Sequence, residues 1–368
     1  MKRIPEHVKM PRTSQSEGQV DAARSALRPT SADVARAAGV SRTQVSYVLN
    51  NTESNHVSNE RRRRIIEAAR DLGYLPHSSA QALRRGYSNE FAIFFPAPYP
   101  PQINEILGTI HERGLAEGCV PIQYSFNSYT NPERKFETFQ LLLASRPRGL
   151  FCGLLDIGKK EIALARAKGI EHILVLDVER HEDIPTLFIP AERIGFLAAE
   201  HLLTLGHRRL GILSPSDPIQ RRPFELRFKG FRKAAARYRD VDIRVLQWPK
   251  ENLRPTLGYA GVFASTFLAE EVVPTALYAY SDDYAIPLMA MFQERGVRIP
   301  EDLSVLGTDN LHYGAMVRPA LSTIELDEKM TLGERVVAMM NRLLTGGKGE
   351  VLADDDPKPK VVLRCSTG

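Results

Sequence analysis

From residue 90 onward, short apolar runs alternate with helical segments, and few folds accommodate that order. The runs are FAIFF (91–95), GLFCGLL (149–155), ILVLD (173–177), RLGIL (209–213), ALYAY (276–280) and LSVLG (303–307). Between them lie segments of helical character, among them 133–144, 193–205, 225–237 and 284–295. A strand that is apolar along its whole length is buried on both faces, and intervening helices supply the cover. This pattern predicts an α/β class with doubly wound parallel sheets, and the stretch is long enough for two such units. Ligands in these folds sit beyond the carboxyl ends of the strands, which draws attention to Asp177, Asp282 and Asp309, each just after an apolar run.

The first quarter of the chain has a different texture. Residues 1–28 are polar, rich in Ser, Arg and Gln, and read as a flexible tail. Thr30 or Ser31 is placed to cap a short helix that Gly39 ends; Ser41 caps a second helix over Arg42 to about Asn50, and Ser58 caps a third through NERRRRIIEAARDLG. Three short helices in about 45 residues, with a glycine turn between the first two, match either a helix-turn-helix unit or a generic three-helix bundle. The second helix presents short polar side chains, Arg42, Thr43 and Gln44, at its start, which suits the reading of base edges. Residues 76–86, PHSSAQALRRG, predict a further helix of about two turns, too short to hold alone in water.

Charge divides along the same line. Residues 1–89 carry 15 Lys and Arg against 8 Asp and Glu, whereas residues 90–368 carry 34 against 36. The positive excess is local, which points to a polyanion partner for the first part only. The run Arg61 to Arg64 is expected to add general attraction, as the outer face of a structural helix. Other classes are excluded or disfavoured. No apolar run approaches the length of about 18 residues that would cross a bilayer. The N-terminus has no apolar segment behind its basic start, and three scattered cysteines lack CxxC spacing, so a reduced cytoplasmic setting is expected, without metal or disulfide frame. An enzyme finds little support: there is no GxSxG elbow, P-loop or HExxH, and GGKGE (346–350) only looks like a phosphate loop. No catalytic residue and no cofactor are expected.

Position by position, DVARAAGVSRTQVSYVLNN (33–51) and VSNERRRRIIEAARDLGYLPHSSAQALRRG (57–86) resemble the headpiece and hinge of lactose-repressor (LacI/GalR) family regulators. Later landmarks follow in the family's order: HLLTLGHRRLGIL (201–213), LRFKGFRKA (226–234), YSDDYAIPLM (280–289), RIPEDLSVLGTDN (298–310) and ALSTIELD (320–327). The resemblance implies a helix-turn-helix headpiece at 29–75, a hinge helix and linker at 76–89, and a two-lobed, periplasmic-binding-protein-like core at 90–368. Its first lobe is expected at about 90–190 and 321–345, its second at about 191–320 and 346–368. Arg42, Thr43 and Tyr47 would face bases in the major groove, Ser41, Ser46, Asn50 and Tyr74 would contact phosphate, and Ala80, Leu83 and Arg84 would enter the minor groove. An Arg can donate two hydrogen bonds to guanine, and a wedged Leu can bend the duplex. Tyr47 stands where Arg is usual in the family.

For the core, the resemblance implies an effector cleft between lobes, with Asp177, Arg227, Asp282 and Asp309 as contacts. Carboxylates accept from hydroxyl pairs and Arg fixes orientation, which suits a sugar, polyol or sugar acid. Asp282 stands where Asn is usual, Thr308 where an aromatic is usual, Ala191 and Glu192 where AspAsn is common, and Leu253 and Leu326 make one side of the cleft more apolar. A transporter's solute-binding protein shares such a core, but the headpiece argues against it. The expected protein is a homodimeric, ligand-responsive regulator, more readily a repressor, acting on pseudopalindromic operator DNA.

Overall fold

The computed structural model describes residues 29–49, 57–75, 87–88, 90–97, 101–116, 120–127, 132–153, 157–250, 256–326, 331–344 and 356–368. The tail and the expected contacts Asn50, Ala80, Leu83 and Arg84, as well as Leu253, lie outside them. The chain divides into two compact units, Met1–Arg85 and Gly86–Gly368.

In the first unit, helices α1 (Ser31–Ala38), α2 (Arg42–Leu49) and α3 (Asn59–Asp71) enclose one small core. Polar side chains fix every start. The Thr30 N–H and O–H both donate to Asp33 Oδ2, at 2.9 and 2.7 Å, and these bonds hold the Asp33 carboxyl below its usual range. Gly39 stops α1 in the left-handed region at φ 64°. Ser41 and Gln44 cap α2 reciprocally: each backbone N–H donates to the other's side-chain oxygen at 3.2 Å. The Arg61 N–H donates to Ser58 Oγ at the head of α3. Val34, Ala35, Val45, Val48, Val57 and Ile65 fill the centre.

The second unit contains two sheets. Strands β1 (Glu90–Pro96), β2 (Val120–Phe126), β3 (Gly149–Gly153), β4 (His172–Asp177) and β5 (Thr186–Phe188) form an all-parallel sheet in the order β2-β1-β3-β4-β5. Helices α4 (Pro101–Ala116), α5 (Pro132–Ser145) and α6 (Lys159–Ala167) connect these strands. After α7 (Ala191–Thr204) the pattern repeats through β6 (Arg209–Ser214), α8 (Arg221–Ala235), β7 (Asp242–Gln247), α9 (Leu257–Leu268), β8 (Ala276–Tyr278), α10 (Asp282–Glu294) and β9 (Ser304–Thr308). The chain then adds β10 (Ser322–Glu325), α11 (Leu332–Leu344) and β11 (Lys360–Val362). The second sheet runs β11-β10-β9-β8-β6-β7, parallel except for the β10–β11 pair at its edge. Each apolar run read from the sequence supplies a buried strand, the physical outcome of cover on both faces.

One boundary departs from expectation. Residues 322–325, expected in the first lobe, form β10 of the second sheet, bonded to β9 on one side and β11 on the other. The crossing back to the first lobe comes later, because α11 packs on α4: Gly333 lies against Thr109, Arg113 pairs with Glu334, and Met340 reaches Gly149. Between α7 and α8, glycines allow close approach. A Cβ on Gly195 would lie 1.8 Å from the Arg227 carbonyl oxygen, and one on Gly230 would lie 1.8 Å from that of Glu192. Glu192 also pairs with Lys229 and Lys233 across the same contact. The crossing therefore fixes the helix that carries Arg227.

Candidate nucleic-acid face and effector cleft

On α2, Val45 and Val48 are buried while Arg42, Thr43 and Tyr47 are exposed, so the three expected base readers lie off the core side of one helix. Thr43 and Tyr47 are four residues apart and share a face. Ser41 is exposed and Ser46 half-buried; Tyr74, expected at phosphate, packs partly against the headpiece core. The Ser41 oxygen already accepts from Gln44, and its hydroxyl proton remains a donor for an anion. Of Arg61 to Arg64, three are exposed and Arg62 is half-buried, as a solvated helix face requires.

In the core, the strand ends gather a polar network. Arg227, within α8, is buried, and its Nη1 donates to the Tyr280 carbonyl oxygen at 2.5 Å and to the Tyr278 hydroxyl at 3.4 Å. Its guanidinium lies over the Tyr280 ring, 4.3 Å from the centroid. Tyr278 and Thr308, side by side at the ends of β8 and β9, share a hydrogen bond of 2.8 Å. Asp309 follows directly. Burial first, then the charges of Asp283 and Glu105, push its carboxyl up to about 6, although Arg227 opposes the shift. Within this network two enclosed atoms have no protein partner, Arg227 Nε and Asp309 Oδ2. Such groups are costly to bury unless a ligand or water completes them.

The remaining expected contacts are placed differently. Asp177 ends β4 in the first lobe; its Oδ1 accepts the N–H groups of Val178 and Glu179 at 2.6 and 3.3 Å, and its Oδ2 lies 2.9 Å from His181 Nε2. The next turn reaches the second lobe, where Glu179 accepts from Arg222 of α8, five residues before Arg227, and Arg180 pairs with Asp356. Asp282, also expected at the cleft, is held within the protein. It is wholly buried, and both carboxylate oxygens bond within the protein, to the Leu311 N–H and the Thr323 hydroxyl. As the first residue of α10 it closes a turn, and each carboxylate oxygen already holds a donor of the protein. Leu326 is half-buried against the second-lobe core. Sequence reading passed over Tyr278, Tyr280 and Thr323. The first two were legible as the aromatic residues that end the apolar run ALYAY, where ligands of such folds sit; Thr323 had no signal, since its role depends on the pairing of β9 with β10.

Comparison with known proteins agrees with this fold. Residues 30–77 match the model for bacterial regulatory proteins of the lacI family, and residues 199–367 match a periplasmic binding protein-like domain. The chain is 26% identical over 347 residues to the HTH-type transcriptional repressor PurR of Haemophilus influenzae, covering 91% of this chain and 97% of that one. The chain belongs to the LacI/GalR family of transcriptional regulators. PurR of Edwardsiella ictaluri is 29% identical over 340 residues, covering 91% of this chain and 95% of that one. Among solved structures, a lac repressor dimer bound to operator and the anti-inducer ONPF superposes with a TM-score of 0.73. It is 25% identical and covers 92% of this chain and 99% of that one. This LacI-family chain is thus a DNA-binding regulator, and its named relatives are repressors, not enzymes.

Proposed function

We propose that the protein is a homodimeric cytoplasmic repressor in which each headpiece reads one half of a pseudopalindromic operator, and in which a sugar, polyol or sugar acid in the core cleft alters operator binding. On the DNA side, Arg42, Thr43 and Tyr47 read bases, Ser41, Ser46, Asn50 and Tyr74 hold phosphate, and Ala80, Leu83 and Arg84 enter the minor groove. The exposure of the first three on one helix supports this. On the effector side, Arg227 and Asp309 are the primary contacts, and Asp177 contributes from the other lobe.

One observation carries the effector reading. Arg227 Nε and Asp309 Oδ2 are enclosed and unpaired at the carboxyl ends of strands, so a donor and an acceptor await the same ligand. Vicinal hydroxyls satisfy both, since each hydroxyl donates and accepts. The test has two parts. A thermal-shift screen of sugars, polyols and sugar acids on the purified protein identifies the compound. Arg227→Ala should then abolish that shift and the change in operator affinity, while basal operator binding, read by electrophoretic mobility, stays at the wild-type level. A retained response would move the ligand elsewhere.

A further inference from the structure

Asp282 sits beneath the turn that carries Asp309. Its Oδ2 accepts the Leu311 N–H at 2.8 Å, and its Oδ1 accepts the Thr323 hydroxyl at 2.6 Å. Thr323 Oγ1 in turn accepts the Asn310 N–H at 3.3 Å. Gly307 makes room for the carboxylate, for a Cβ there would lie 2.0 Å from Asp282 Oδ1. The held turn is strained: Asp309 has φ 104° and Asn310 has φ 52°, values that non-glycine residues rarely adopt unless their surroundings enforce them.

We propose that Asp282 is a positioning residue: without touching the effector, its carboxylate clamps the 309–311 turn from below, directly at Leu311 and through Thr323 at Asn310, and so aims Asp309 into the cleft. The role of Asp309 as an effector contact rests on the reading above, but the clamp itself can be tested with no effector present.

The clamp depends on charge. Two acceptor oxygens serve two donors only while the carboxylate is ionised; a proton turns one acceptor into a donor, and one bond must break or reverse. The groups facing Asp282 are Asp309 and Tyr313 from the following turn and 3-10 helix, Arg364 from the segment after β11, and Thr323 from β10. Arg364 also donates to Asn310 Oδ1 at 2.5 Å, bracing the turn from its other side, and Tyr313 donates to Asp283 at 3.0 Å. Burial first, and then the charge of Asp309, pushes Asp282 up to about 7; Thr323, the Leu311 N–H and Arg364 hold it down. The clamp is therefore expected to loosen just below neutral pH.

Hydrogen exchange of the Leu311 amide in the full-length, effector-free protein reads this directly. After correction for the intrinsic rate, exchange should be about tenfold faster at pH 6 than at pH 8, because one pH step below the midpoint leaves about one carboxylate in ten ionised. Asp282→Asn, nearly isosteric and neutral, should remove that pH dependence. Thr323→Val, which deletes a donor to the carboxylate, should move the midpoint upward and serves as the test if Asp282→Asn does not fold. A pH-independent wild type, or a dependence that persists in Asp282→Asn, would overturn the clamp. A failed effector response in Arg227→Ala bears only on the effector reading, so the two failures are distinguishable.

Discussion

The two lobes of the core share a layout and differ inside. Among the described residues of the first lobe, few polar groups are buried: the Thr186 hydroxyl donates locally to the Ile184 carbonyl at 2.9 Å, Ser88 is buried where the lobe begins, and Glu90 Oε2 is enclosed at the start of β1. Its interior is aliphatic and aromatic, with Phe94 stacked on Phe126 at 4.8 Å and edge-on to Phe139 at 5.4 Å. The second lobe buries Asp217, Arg227, Asp282, Thr308, Thr323 and several serines. Even its edge is polar: His207 lies 2.9 Å from the Thr275 hydroxyl and 3.0 Å from that of Ser304. The same fold has thus produced one largely apolar lobe, specified by packing, and one that buries a polar network matched within the protein except at Arg227 Nε and Asp309 Oδ2. The proposed recognition chemistry draws mainly on the second, since aimed polar groups discriminate between ligands far better than apolar walls do.

The largest effect that separates the lobes is expected from Phe94→Ala. Phe94 is fully buried in the apolar lobe, and truncation of such a ring costs about 3–5 kcal/mol in unfolding free energy, measured by chemical denaturation. Because no polar network passes through this site, the folded fraction should keep its effector response. Loss of the response at full occupancy of the folded state would break the division of labour.

A smaller cost with a larger functional consequence is expected from Gly230→Ala. The added methyl meets the Glu192 carbonyl oxygen, and overpacking of this kind costs about 1–3 kcal/mol. The α7–α8 crossing must open to accept it, which displaces Arg227. Denaturation and ligand-induced thermal shift measured together should show a modest loss of stability and a lost response, the converse of Phe94→Ala. A full response in Gly230→Ala would mean that Arg227 tolerates movement of its helix.

How far these features could be read in advance follows the same division. Apolar runs announce buried strands because burial on both faces leaves a local, contiguous trace, so FAIFF and LSVLG read plainly as β1 and β9. Helix starts were equally legible at Ser41 and Ser58, where a cap acts within four residues. Strands β2, β5 and β7 were not, since VPIQYSF and DIRVLQ mix polar and apolar residues at sheet edges. Asp177, Arg227 and Asp309 stood out by position after strands or by resemblance. The burial of Asp282 did not, because it depends on Leu311, Thr323 and Gly307, brought beneath it by strand pairing at separations of 25 to 41 residues. The lobe assignment of residues 322–325 failed for a related reason: nothing local in STIE tells which sheet edge it joins.

The smallest expected effect tests how the lobes communicate. Glu179 and Arg180 are adjacent in the first lobe and carry opposite charges, and each pairs with its opposite in the second, Arg222 and Asp356. The backbone N–H of Glu179 is held by Asp177, and Arg222 lies on the helix of Arg227, so this clasp ties together two of the expected effector contacts. Glu179 and Arg222 are each half exposed, and exposed ion pairs contribute little because water and salt screen them. Glu179→Gln and Arg222→Gln, alone and combined, should therefore change effector affinity by less than about threefold, with a non-additive part that disappears in concentrated salt. The sign is informative: if the clasp favours the closed lobes, the variants bind effector more weakly, and if ligand must first displace it, they bind more tightly. Strict additivity at low salt would show that the apolar lobe and the polar lobe exchange no information through this turn.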